Sequence, residues 1–176
     1  MSDANRILPP LRRKDREITG GGAIENILDR CDVCRIALNG PEGYPYLVPL
    51  NFGWEKLDGG YVFYFHCANA GTKLDLLRAD GRCAFELDTG HKLLWAEDPA
   101  ETGMAYESVC GLGRITEVSS PAEKLRGLQR LLYQYTGEEE TPLRENAVNE
   151  VTVLRMEVLE LRAKKCPVPR NVPEKS

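Results

Sequence analysis

The chain has 176 residues, 42% of them hydrophobic and 28% charged, with 16 Gly and 11 Pro scattered along it, the profile of one globular domain. A chain of this size buries about 70% of the surface its unfolded form exposes, so a core can form without metal or disulfide staples. Twenty-three Lys and Arg against 27 Asp and Glu leave a formal charge of -4, so no global basic field draws the protein to nucleic acid or anionic lipid.

The opening segment, MSDANRILPPLRRKDREI, lacks the apolar stretch of a secretory signal, and no later run approaches the roughly 20 apolar residues that span a bilayer. A cytoplasmic protein without membrane contact is expected. Arg6, Arg12, Arg13, Lys14 and Arg16, with Pro9 and Pro10, show no clear periodicity and read as a mobile or peripherally docked arm, with a solvated tail the favoured view. Gly20, Gly21 and Gly22 read as a turn, since the Gly-Lys-Ser/Thr ending of a phosphate-binding P-loop is absent. Ile24, Ile27, Leu28 and Cys31 then keep helical spacing.

From Val33 the pattern turns to strands: CRIALNG, the turn-rich GPEGYP, YLVPLNFGWE, the KLDGG turn and YVFYFH. Pro49 cannot donate a ladder hydrogen bond, so its strand is expected at an edge, bulged, or open to a ligand. RCAFELD and GMAYESVCGLGRITEV continue the strands. In the second, Ala105, Glu107, Val109, Gly111, Gly113 and Ile115 share one face, and the glycines permit coiling or close approach. Ser120-Pro121-Ala122-Glu123 predicts a capped helix with Leu125, Leu128, Leu132 and Tyr135 as its buried stripe and Gly137 as its stop. NEVTVLRMEVLELRAK returns to alternation and reads as a closing strand. Short, hairpin-connected strands favour a small antiparallel barrel over a parallel doubly wound sheet.

Between YVFYFH and RCAFELD, a small-residue loop leads into Thr72-Lys73-Leu74-Asp75, which resembles a capping box opening a helix that Gly81 ends. Two readings stand: a plain capped helix with a solvated lysine, or a phosphate-monoester site made of free amides, the Thr72 hydroxyl and the Lys73 ammonium, with Gly71 allowing close approach. His66 at the strand end suits either a structural hydrogen bond or proton transfer, and the other histidine, His91, lies in the loop-like TGHKL. Six cysteines are present. Cys67, Cys83 and Cys110 lie in or beside apolar strand-like runs and read as free thiols in a reducing compartment. Cys31-x-x-Cys34 lacks a second pair to complete a tetrahedral metal site, so the structural reading is favoured and no metal is expected. GLGRIT has Thr116 where a dinucleotide fingerprint needs a third glycine, and no G-x-S-x-G or H-E-x-x-H occurs.

The ordered segments RRKDREIT, CRIALNGPEGYPYLVPLNFGWE, YVFYFHCANAGTKLDLLRADGRCAFELD and MAYESVCGLGRITEV resemble the FMN-binding split-barrel superfamily of pyridoxamine 5'-phosphate oxidase. Within it they are most similar to the nitroimidazole-resistance proteins. The likeness covers residues 12 to about 135 and rests on YPYxVPLNFG, YFHxAxxGxK and YxSVxGxGR together. It implies a mainly β fold, a six-stranded antiparallel split β-barrel with a few helices, spanning 20–165 between an arm (1–19) and a tail (166–176). It also implies a homodimer with FMN between subunits. Thr72 and Lys73 match its phosphate positions, Val48, Pro49, Leu50 and Asn51 the strand bordering the ring, Phe65 and His66 the strand end beside it, and Ser108 and Val109 a further wall. The oxidase's Arg-Lys pair is Thr72-Lys73 here and its C-terminal substrate residues have no counterpart, so pyridoxamine phosphate is not the expected substrate.

What the resemblance implies is an FMN-dependent oxidoreductase. Electrons pass from a nicotinamide such as NAD(P)H, or another reduced donor, to a small acceptor such as a nitroimidazole, with His66 as proton donor. The alternatives are a non-catalytic FMN or heme carrier on the same barrel, and a zinc- or thiol-based redox sensor built on Cys31 and Cys34.

Overall fold

From Cys34 onward, alternating apolar and polar side chains give each segment one face to bury, and every such segment pairs antiparallel with a neighbour. The computed structural model describes residues 7–57, 59–144 and 146–167. Its strands are β1 (Glu17–Ile18), β2 (Cys34–Asn39), β3 (Pro45–Leu50), β4 (Gly53–Leu57), β5 (Gly60–Cys67), β6 (Arg82–Leu94), β7 (Gly103–Glu117) and β8 (Thr152–Cys166). They form one sheet in the order β3-β2-β6-β7-β8-β5-β4, with β1 beside the far end of β8. The sheet does not close: β3 and β4, consecutive in sequence, lie at its two ends. Four helices accompany it, α1 (Gly21–Arg30), α2 (Thr72–Ala79), α3 (Pro121–Thr136) and the single turn α4 (Ala147–Glu150).

The mainly β, antiparallel split-barrel architecture is as the sequence implies, with eight strands among the described residues where six are expected. The run YLVPLNFGWE breaks at Asn51 and Phe52 into β3 and β4, which pair with different partners, β2 and β5. The other addition is β1, inside the segment that reads as a solvated arm: Glu17 and Ile18 pair with Lys164 and Ala163 of β8. Further up the arm, the amides of Ile7 and Leu8 donate to Glu160 (2.8 and 3.1 Å). Arg6 and the tail beyond residue 167 lie outside the described residues.

The interior of the curled sheet is aromatic. Phe52, Phe63, Phe65 and Phe85, all four phenylalanines of the chain, are buried, with Phe63 between Phe52 and Phe85 at ring distances of 5.5 and 5.4 Å. Gly111 makes room for them, since a Cβ there would lie 2.4 Å from the Phe85 ring. A smaller cluster forms on the other face, where Val62, Tyr64, Val118 and Val153 pack with Leu128 of α3.

Several local expectations change. Gly21 and Gly22 are the first residues of α1 rather than a turn, and Gly20 precedes them with φ 111°. Thr72 is the first residue of α2 rather than its cap; Gly71 holds the cap position at φ 134°, where a side chain would be strained. Ser120, Pro121 and Gly137 cap α3 as expected, but Leu125 and Tyr135 are more than two-fifths exposed, and Gly127 and Leu131 carry the buried face instead. Here α3 approaches β4 and β5 closely, and at Gly127 the contact admits no side chain: a Cβ there would meet Tyr64 at 2.8 Å. His91 lies in β6, within the irregularity between Thr89 and Lys92, and bonds Asp88 at 2.7 Å.

Candidate functional site

β5 delivers Cys67 to the edge of the barrel interior, residues 68–71 turn the chain, and α2 starts beside that edge. The Gly71 carbonyl accepts from Leu74 (2.9 Å) and Asp75 (3.3 Å), which leaves the first amides of α2, at Thr72 and Lys73, without an intrahelical acceptor. Apart from its chain neighbours, no described residue lies within 4 Å of the position a Gly71 Cβ would take, which leaves that side of the helix start open. Leu74 and Leu77 anchor the other side of α2 in the core.

Lys73 lines a narrow apolar crevice with Val48 and Leu50 of β3, Ile36 of β2, Leu77 of α2 and Ile115 of β7, too tight to admit a water-sized group. Its charge acts on the Cys67 thiol. Desolvation at the strand end raises that thiol above its ordinary pKa, and the charge and hydrogen bond of Lys73 oppose the rise. The neighbouring cation, Arg78, is engaged by both carboxylate oxygens of Glu117 at 2.7 and 3.1 Å. Lys73 has no carboxylate partner among the described residues, so its charge is available to an anion at the start of α2.

The strand bordering the crevice is the edge that Pro49 requires: among the described residues β3 pairs only with β2, Pro49 opposite Arg35. Register puts Val48 and Leu50 toward the interior and Pro49 on the outer face, and Asn51 follows at the strand break, exposed, with its amide 3.5 Å from the Asp32 carbonyl. The structure thus brings Val48, Leu50 and Lys73 into one crevice, with Gly71 and Thr72 at the same helix end.

The remaining expected site residues are dispersed. Phe65 and Val109 are fully buried in the main core, so only their backbones could face a ligand. His66 points away from Phe65 and Cys67 by strand alternation, is exposed, and has no hydrogen-bond or ion-pair partner among the described residues. Ser108 lies on the outer face of β7, opposite Asp88 and Lys164, seven residues from Ile115, a separation of roughly 23 Å along a strand. Its hydroxyl oxygen is buried, without a hydrogen-bond partner among the described residues. Within one chain Ser108 does not reach the α2 crevice.

Burial pushes the Cys31 thiol up to about 12 and Cys34 well above its ordinary value, with Asp88 adding to the first and Cys83 to the second. The surroundings of these two thiols therefore favour the protonated, less reactive form. Tyr135, read from the sequence as part of an apolar stripe, instead makes polar contacts. Its hydroxyl donates to the Asp32 carbonyl (2.8 Å) and accepts from the Phe52 amide (3.0 Å). The only sequence signal for it is that a tyrosine ends a stripe of leucines, and a packed tyrosine hydroxyl usually finds a partner.

Residues 22–165 match the family model described as pyridoxamine 5'-phosphate oxidase. Among solved structures, a candidate 5-nitroimidazole antibiotic resistance protein from Bacteroides thetaiotaomicron is 28% identical over 85% of this chain and 86% of its own, with a TM-score of 0.73. The flavocytochrome Anf3 from Azotobacter vinelandii (20% identity, 91% and 73% coverage, TM-score 0.72) shares the fold. So does an FAD and heme binding protein from Mycobacterium smegmatis (14% identity, 92% and 77% coverage, TM-score 0.68). Comparison with curated proteins gives no match. With the match running from α1 almost to the end of β8, the chain belongs to the pyridoxamine 5'-phosphate oxidase family.

Proposed function

We propose that the chain is an FMN-dependent oxidoreductase that reduces a small acceptor such as a nitroimidazole, using a reduced nicotinamide or a similar donor. The observation that carries this reading is the α2 crevice: free amides, the Thr72 hydroxyl and the carboxylate-free Lys73 ammonium stand beside an apolar wall of Val48 and Leu50. That donor set fits a phosphate monoester attached to a large apolar ring. Gly71 through Lys73 would hold the phosphate, and Val48 to Asn51 would border the ring along the unpaired edge of β3.

When bound, FMN supplies the electron chemistry. The chain's own part is to bind, to exclude water and to supply protons. Reducing a nitro group consumes protons as well as electrons, and we assign the donor role to the exposed His66; because it stands on the face of β5 turned away from the crevice, it would serve a site completed by a second copy rather than the crevice of its own chain. The nitroimidazole assignment draws on the 28% identity to the Bacteroides protein.

A homodimer belongs to the same proposal. Ser108 and Val109 lie too far along β7 to wall the crevice of their own chain, so a second copy would have to supply that wall. The outer face of β2, β6, β7 and β8 offers a surface for it, a concavity of about 480 Å³ that includes Ala37, Ala84, Leu112, Leu159 and Ile7. The six cysteines are free, which accords with a reducing, cytoplasmic setting.

Titration with FMN, read by flavin fluorescence, tests the cofactor. Lys73→Ala should weaken binding by about 10- to 100-fold, the scale of a hydrogen bond to a charged group. Unchanged affinity removes the phosphate assignment. Loaded protein that reduces nitroimidazoles no faster than free FMN leaves the carrier reading, toward which the names of the flavocytochrome and of the FAD and heme binding protein point.

A further inference from the structure

The break between β3 and β4 is held open from outside by the last turn of α3. At the break, Asn51 and Phe52 have no ladder partner, because β3 has left β2 and β4 has not yet met β5. A buried amide without an acceptor is costly, and the Phe52 amide finds its acceptor in the Tyr135 hydroxyl at 3.0 Å. The same hydroxyl donates to the Asp32 carbonyl at 2.8 Å, in the segment that leads into β2, and so ties the two sides of the break together. Its neighbour Gln134 donates to the carbonyls of Leu28 and Cys31 (2.9 and 3.1 Å), fixing the end of α1 to the same turn. One turn earlier, the Arg130 and Leu131 backbone lies directly against Gly53.

We infer that Tyr135 is a positioning residue for the ring-bordering end of β3: its bridge between Phe52 and Asp32 sets where Leu50 and Asn51 stand. The assignment of the ring to that strand rests on the flavin reading above; the bridge itself does not. Tyr135 acts through the backbone, touches no part of the α2 crevice, and is separate from the phosphate grip of Lys73. Its removal should therefore weaken ring binding and leave the phosphate increment alone.

The test uses the full-length wild type, Tyr135→Phe and Lys73→Ala. In flavin-free protein, hydrogen exchange at the Phe52 amide should be at least about 10-fold faster in Tyr135→Phe, with a thermal midpoint lower by only about 2 to 4 °C because the ring is retained. In titrations with FMN and with riboflavin, Tyr135→Phe should lose about 3- to 10-fold in affinity for both, keeping their ratio, while Lys73→Ala should collapse that ratio. Unchanged exchange at Phe52 overturns the inference, as does faster exchange with wild-type affinity for both flavins. Wild-type protein that binds neither flavin overturns the flavin reading instead, and the Phe52 exchange rate then still decides whether Tyr135 fixes the break.

Discussion

Gly53 is where α3 meets the sheet, and Gly53→Ala is the sharpest test of how the split is built. An added Cβ would lie 2.2 Å from the Arg130 carbonyl carbon, 2.3 Å from its oxygen and 2.4 Å from the Leu131 nitrogen. All three are helix backbone, so no side chain can swing away. To restore even a tight contact the helix must recede by about 1.2 Å, which loosens Leu131 and pulls Tyr135 from Phe52. Overpacking of this kind costs about 1 to 3 kcal/mol, and losing the Tyr135 and Gln134 bonds adds about 1 kcal/mol each. A total near 4 kcal/mol corresponds to a fall in Tm of about 8 to 16 °C for a chain of this length. Differential scanning calorimetry measures it, with Gly103→Ala as control, because nothing lies within 4 Å of a Cβ there. A Gly53→Ala midpoint within about 2 °C of the control would refute the close packing of α3 on β4.

Glu55 is nine-tenths buried and accepts from the Tyr64 hydroxyl (2.9 Å) and from Arg126 (2.7 and 3.0 Å). Glu55→Ala should cost about 2 kcal/mol by stranding the buried hydroxyl, and adding Tyr64→Phe should recover part of it; a double variant no more stable than the single argues against the bond. Burial holds the Cys31 and Cys83 thiols up to about 12 in the fold, against an ordinary 9.0. Between those values the unfolded chain has released protons that the native chain keeps. Stability is therefore complete below pH 9 and falls as pH rises toward 12, by up to about 1.4 kcal/mol per pH unit per thiol. Urea midpoints at pH 8 and pH 10 check this, and equal midpoints would exclude it. His66→Gln should leave the FMN dissociation constant within about twofold of wild type while lowering the nitroimidazole turnover number by about 100-fold; a loss confined to flavin affinity removes the proton role.

The period-two runs of β2, β5, β6, β7 and β8 are legible in the sequence because each buries one face, and that pattern needs no knowledge of the neighbour. So is α3, whose Ser120, Pro121 and Gly137 act within a single turn of chain. The break at Asn51 and Phe52 is not legible: alternation runs straight through YLVPLNFGWE, and the interruption comes from α3, whose backbone lies on Gly53 although Arg130 is 77 residues away in sequence. The cap of α2 misled for a related reason. Thr72 and Gly71 are both plausible first partners of a helix, and the choice depends on the path by which β5 hands over the chain.

For the candidate site, the residue types alone determined which chemistry is available: a lysine and free amides at a helix start, a proline that must sit on a sheet edge, and a histidine at a strand end. Only the tertiary structure decided which of them meet. It joined Val48 and Leu50 to Lys73 across the crevice, sent His66 to the other face of β5, and left Ser108 on the far outer half of β7. Chain chemistry is local and reads directly from neighbouring residues, whereas proximity between distant segments is set by strand register and helix docking, which depend on every packed contact at once.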